Sequence, residues 1–110
     1  TGHPDTVEIK ISGRVDSVNA LEFHDRVMNI INAGMNKIIF DCVDFTYSSS
    51  RGMEAFLKFH KIVSASNGII ILFALTSKVR KIINLVEFDR FFKMFPTREE
   101  AYAHLGITVS

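Results

Sequence analysis

The feature that most constrains this chain is a switch in apolar period that recurs three times in the same order. Val7, Ile9 and Ile11 alternate with Glu8, Lys10 and Ser12, the period-two pattern of a half-buried strand, and Gly13 punctuates it before Arg14 and Val15 continue the run. Asn19 then precedes Glu22 at capping-box spacing. Ala20, Phe23, Val27, Ile30 and Ile31 recur at helical intervals as far as Gly34, so residues 19–33 are expected to be helical. Ile38-Ile39-Phe40 is a short apolar run rich in β-branched residues and reads as a central strand covered on both faces. Met53, Phe56, Leu57, His60 and Val63 return to helical spacing before Asn67-Gly68, and Ile69 to Phe73 is again strand-like. Thr76 or Ser77 can cap a third helix with Val79, Ile82, Ile83 and Val86 inside. This alternation calls for parallel strand pairs joined by helical crossovers. Lys93-Met94-Phe95 follows as a short edge strand, and Pro96 to Glu100 carries a capping box that opens a last helix over Ala101, Tyr102 and Leu105.

Length and composition limit what this order can build. With 110 residues, 47% of them hydrophobic, the chain can bury roughly two-thirds of its unfolded surface, which suits one core. Residues 1–6 are expected to be a disordered or vector-derived N-terminus and residues 7–110 a single domain. Thr1 to Pro4 do not resemble a signal peptide. The longest apolar run, Ile69 to Leu75, falls well short of the ~20 residues of a membrane span, so no span is expected. The single cysteine, Cys42, excludes an intramolecular disulfide and a CxxC redox pair; it is expected to be a buried structural thiol in a reducing compartment.

Charge is unevenly spread. Residues 1–50 carry 4 Lys/Arg against 7 Asp/Glu, and residues 51–110 carry 9 against 5, a swing from −3 to +4. Lys78, Arg80 and Lys81 supply much of the basic density, but no aromatic-interleaved stripe accompanies them. They read as a solvated helix face, and no direct nucleic-acid contact is expected. Ten phenylalanines, Phe91 and Phe92 adjacent, exceed what helix and strand faces require, so core filling is expected for most and exposure at an interface for some.

Recognisable catalytic patterns are missing. His3, His24, His60 and His104 fall on different elements, with no pair at the i, i+4 spacing of a helical metal site. There is no phosphate loop, dinucleotide fingerprint or nucleophile elbow. Asp41 and Asp44, flanking Cys42 on a strand end and loop, suit turn formation better than a hard-metal site. Neither cofactor nor metal is expected, and a small enzyme is the weakest reading.

One segment stands out chemically. Tyr47-Ser48-Ser49-Ser50-Arg51-Gly52-Met53 places three hydroxyls where a strand ends and a helix begins. The first-turn N–H groups of a helix lack intrahelical partners and carry the positive end of its dipole, so a cap or an added phosphate is well placed there. Capping needs only one of the three.

The chain resembles the STAS family along nearly its whole length. Gly13-Arg14-Val15-Asp16 with Asn19-Ala20-Leu21 is similar to the family's Gly-x-hydrophobic-Asp segment and first helix, and Ile38-Ile39-Phe40-Asp41 to its central strand. Phe45 to Met53 resembles the signature hydrophobic-Asp-Ser-Ser-Gly-Leu, or its variant hydrophobic-Ser-Ser-Ala-Gly-Leu. Val79 to Ile83, Phe88 and Glu100-Ala101 resemble the later helices and turn. Anchored on Gly52, Ser50 matches the serine that the family's partner kinase phosphorylates. Ser49 stands where Asp is common, Arg51 where Ser or Ala is usual, and Ser48 at a normally apolar position.

The resemblance implies an α/β fold: a single STAS-like domain, a mixed sheet of about four to five strands with about four helices packed mainly on one face. It also implies a bacterial, cytoplasmic anti-sigma factor antagonist that acts in transcription regulation by binding rather than by catalysis. Its partner would be an anti-sigma factor that is also a GHKL-type serine kinase, with a serine phosphatase opposing it; a homo-oligomer is left open. Ser50 would be the phosphorylation site and Ser49 a cap or secondary acceptor. Ser49 and Ser50 would meet the partner, and Arg51, Met53, Glu54 and Lys58 are placed at the rim of that contact by their expected exposure at the start of the second helix. The alternative implied by the altered motif is a non-phosphorylated STAS scaffold or a transporter-associated regulatory module.

Overall fold

The computed structural model describes residues 5–107, and within them the expected alternation is present: β1 (Thr6–Val15), α1 (Ala20–Asn32), β2 (Lys37–Ser48), α2 (Ser50–Ala65), β3 (Ile69–Phe73), α3 (Ser77–Leu85), a 3₁₀ turn at Phe88–Arg90, β4 (Lys93–Phe95) and α4 (Arg98–His104). The strands lie side by side in chain order, and each described pairing is parallel, so no antiparallel pair of the mixed sheet occurs among the described residues. Strand β1 starts at Thr6, inside the segment assigned to the tail. The Asp5 carbonyl accepts from the N–H groups of Asn36 and Lys37, both at 3.0 Å, which ties that end to the start of β2. Residues 1–4, His3 among them, lie outside the described residues.

Strand β2 runs further than its apolar centre predicts. Asp41 and Asp44 lie within it rather than on a strand end and loop, because β1 offers a pairing partner along the whole stretch: Ser12 opposite Asp44, Gly13 opposite Phe45, Arg14 opposite Tyr47 and Val15 opposite Ser48. Two register shifts, at Lys10/Ser12 and Gly13/Arg14, absorb the irregularity, and Gly13 adopts φ +81°, open to glycine without strain. The extension carries Val15 and Ser48 together to the carboxyl edge of the sheet.

Helices α1, α2 and α3 cover one face. Val27, Phe56, Phe59, Val63, Val79 and Ile83 pack there with Ile38, Phe40, Cys42, Ile70 and Leu72 of the strands. Phe40 and Phe56 meet edge-on at 5.3 Å between centroids and 74°, and Phe23 lies 5.4 Å from Phe56. Such aromatic pairs add about 0.5–1.5 kcal/mol each beyond the area they bury, so α2 is anchored through its middle. Among the described residues the opposite face is covered by α4 and the turn that follows it, with Ala101 and Tyr102 packed on Ile39, Ile71 and Phe73 and with Leu105 and Ile107 against the same cluster. The Tyr102 hydroxyl and the Arg98 Nε both donate to Glu8 Oε1 at 2.7 Å, linking α4 to β1. Burial, reinforced by the bond to Glu8, pushes the Tyr102 phenol above its usual pKa.

Most phenylalanines fill the core as expected. Phe92 is buried while its neighbour Phe91 is 37% exposed. Val86, expected on the inner face of α3, is exposed at its C-cap. Cys42 is buried, and desolvation together with the nearby Asp41 charge pushes its thiol up to about 12.

Candidate functional site

The serine run forms the β2–α2 junction, and its three hydroxyls are in three different states. Ser48, the last residue of β2, is 2% exposed, and its Oγ donates to the Ser49 carbonyl at 3.1 Å. Ser49 is the N-cap of α2, with extended backbone and an Oγ that accepts from the Gly52 N–H at 3.3 Å. Ser50 is the first helical residue, exposed, and among the described residues its hydroxyl has no hydrogen-bond partner. The first intrahelical bond runs from the Met53 N–H to the Ser49 carbonyl at 3.0 Å. The N–H groups of Ser50 and Arg51 therefore precede the helical ladder and point out of its positive end.

The junction is held from below by β1. The Ser49 N–H donates to the Val15 carbonyl at 2.9 Å. Gly52 lies so close that a Cβ there would sit 2.9 Å from the same carbonyl oxygen, 3.0 Å from Val15 Cγ1 and against Ser48 Oγ. Glycine is thus required at this position by the close approach of the helix to the sheet end.

The β1–α1 turn beside it is built differently from the capping box expected at Asn19. The Asn19 side chain turns back instead of capping α1: Oδ1 accepts from the Asp16 N–H and Nδ2 donates to the Arg14 carbonyl, each at 2.8 Å. Asp16 Oδ1 in turn accepts from the Val18 N–H at 3.0 Å. The N–H groups of Val18 and Asn19, helped by the Arg14 guanidinium, hold the Asp16 carboxyl below the usual carboxylate range.

Of the expected partner contacts, Arg51, Glu54 and Lys58 lie exposed on α2 and Ser49 is half-buried. Met53 does not belong with them: it is 3% exposed, because its place on the apolar period of α2 turns it into the core. Two further side chains close around the junction. The Arg14 guanidinium lies 4.9 Å and the Lys78 Nζ 5.3 Å from the centroid of the Tyr47 ring. No local pattern signals this cluster; the β1–β2 register and the start of α3 bring it together.

No group of three or more His, Cys, Asp or Glu is arranged to hold a metal among the described residues. His24 stacks on Phe59 at 5.7 Å, His60 packs on Phe91 at 4.9 Å, and His104 lies against Phe95 at 5.3 Å, so His24 and His60 are boundary residues and His104 an exposed one, each with an aromatic neighbour. No helix among the described residues is long and apolar enough to cross a membrane.

The family model of the STAS domain matches residues 1–101. The chain belongs to the STAS family. This STAS domain is similar to a candidate anti-sigma factor antagonist from Thermotoga maritima, with 26% identity, 94% of this chain and 89% of that one covered, and a TM-score of 0.88. It shares its fold with the phosphorylated form of the Bacillus cell fate determinant SpoIIAA, at 21% identity over 96% of this chain and 95% of that one, TM-score 0.72. It also shares it with a sulfate transporter family protein from Wolinella succinogenes, at 16% identity over 93% and 85%, TM-score 0.79.

Proposed function

We infer that this STAS domain is a partner-switching protein of the anti-sigma factor antagonist type. In its unmodified form it binds an anti-sigma factor that is also a GHKL-type serine kinase, in a bacterial cytoplasm, and phosphorylation of Ser50 ends that binding. The observation that carries this reading is the division of labour in the serine run: Ser48 is buried, Ser49 caps the helix, and Ser50 alone is exposed with a hydroxyl free of partners among the described residues. The kinase transfers the γ-phosphoryl group of ATP to Ser50 Oγ. A P–O bond to serine forms, the bond to the β-phosphate bridging oxygen breaks, ADP leaves, and the hydroxyl proton passes to a base on the kinase. A serine phosphatase reverses the change by hydrolysis.

The physical effect follows from where the charge arrives. The phosphate adds about −1.5 to −2 charges at the centre of the exposed start of α2. The helix dipole and Arg51 tolerate it, so the domain keeps its fold while the face it presents changes. At an interface, burying that dianion costs desolvation energy, and a few kcal/mol alter affinity by orders of magnitude. Ser49, Arg51, Glu54 and Lys58 form the rim of the surface in this reading.

The test is to incubate the protein with its cognate kinase and ATP, map the phosphate by mass spectrometry, and compare partner binding by Ser50→Ala and Ser50→Asp. Label at Ser50, with binding kept by the alanine variant and lost by the aspartate variant, is expected. No label at Ser50 and equal affinity for both would reject the switch and favour a scaffold or transporter-associated module.

A further inference from the structure

A second charged surface lies away from the serine run, at the β4 edge of the sheet. There α3, the 3₁₀ turn and the start of β4 enclose a depression of about 230 Å³ lined by Arg80, Asp89, Arg90, Phe91 and Lys93, with the buried Phe92 also contributing. The lining holds three cations and one carboxylate. Among the described residues, no carboxylate lies within ion-pair distance of Arg80, Arg90 or Lys93. The Arg90 guanidinium sits over the Phe91 ring, 5.4 Å from its centroid.

We propose that this depression binds a phosphate monoester group. Two guanidinium forks and an ammonium supply planar, bidentate and point-charge donors to the oxygens of a dianion, and a dianion balances the excess of two positive charges in the lining. Size restricts the ligand further: drug-sized molecules occupy pockets of about 300–1,000 Å³, so this depression takes the phosphate and a few adjoining atoms and leaves the remainder of its carrier outside. The carrier is either a free small molecule or a lipid headgroup. The surface shares no lining residue with the β2–α2 junction, and binding here does not depend on the reading of Ser50.

The experiment titrates the protein with glycerol 1-phosphate while recording backbone amide spectra, and separately measures its retention on phosphatidylcholine vesicles with and without phosphatidic acid. Saturable shifts at Arg80, Arg90, Phe91 and Lys93 identify a free ester as ligand; retention only on phosphatidic acid vesicles, dependent on the same side chains, identifies a headgroup. Arg80→Gln and Arg90→Gln are each expected to weaken binding roughly tenfold. Asp89→Asn is expected to strengthen it several-fold, a gain that a damaged fold cannot produce. Absence of both kinds of binding, or binding indifferent to these three variants, overturns the proposal.

Discussion

Ser49 Oγ accepts from the Gly52 N–H at 3.3 Å, so the first turn of α2 is closed by the serine that precedes the exposed one. Removing this acceptor in Ser49→Ala is expected to lower stability by about 1 kcal/mol, whereas Ser49→Asp, an equally good cap, stays near the parent. Urea denaturation of the three proteins measures this; coincident midpoints would show that the cap contributes nothing.

Gly52→Ala sets two effects against each other. Helix propensity favours alanine by ~0.8–1 kcal/mol, but the added methyl meets the Val15 carbonyl oxygen at 2.9 Å and crowds Ser48 Oγ. Overpacking of this kind costs about 1–3 kcal/mol. Because a backbone carbonyl cannot move aside alone, the cost falls in the upper part of that range and outweighs the propensity gain, leaving an expected net loss of up to about 2 kcal/mol. Adding Ser48→Ala should recover only part of the loss, since the Val15 carbonyl remains. A Gly52→Ala protein as stable as the parent in thermal melts would contradict the close approach.

Tyr102 makes alkaline stability a probe of α4. Its phenol is raised above the ordinary value by burial and then by the Glu8 bond, so the folded pKa exceeds the unfolded one. A group of this sign contributes stability that is fully present below about pH 10 and is lost as pH rises through the higher folded value. Tyr102→Phe is expected to be about 1 kcal/mol less stable near neutrality, from the missing hydrogen bond, and to lose less on going to alkaline pH. Denaturation midpoints collected from neutral to alkaline pH check both; parallel profiles would remove Tyr102 from the alkaline transition.

Cys42 is buried with a thiol pushed up to about 12, so at neutral pH it is protonated and out of reach. A thiol-reactive disulfide dye should label it only as fast as the protein unfolds, with the rate rising across the urea transition. Prompt stoichiometric labelling of the folded protein would show that the site opens without unfolding.

The sequence was most legible where a periodic run was long. The inner faces of α1 and α2, the apolar centre of β2, a cap at Thr97 and one at Thr76 or Ser77 follow from local pattern, and the structure has them, with Thr76 as the α3 cap. What escaped reading depends on distant residues. Asp41 and Asp44 read as a strand end and loop until β1 lies alongside, and no local signal records that Ser12 and Asp44 are neighbours. Asn19 has the spacing of a cap, but the Arg14 carbonyl and the Asp16 N–H take up its side chain. At the serine run the location was legible; which hydroxyl is buried, which caps and which is exposed depends on how closely Gly52 lets α2 approach Val15.

The strands stand side by side in the order in which the chain presents them. No strand has to be threaded between two that are already paired, so a chain emerging from the ribosome can extend the sheet as it is made, each strand docking on the edge left open by the one before it. Synthesis up to the end of α3 leaves β3 as that open edge, with Ile71 and Phe73 still lacking the cover of α4. The last residues of the domain therefore act as a closure, and the nascent protein presents an adhesive surface until they arrive.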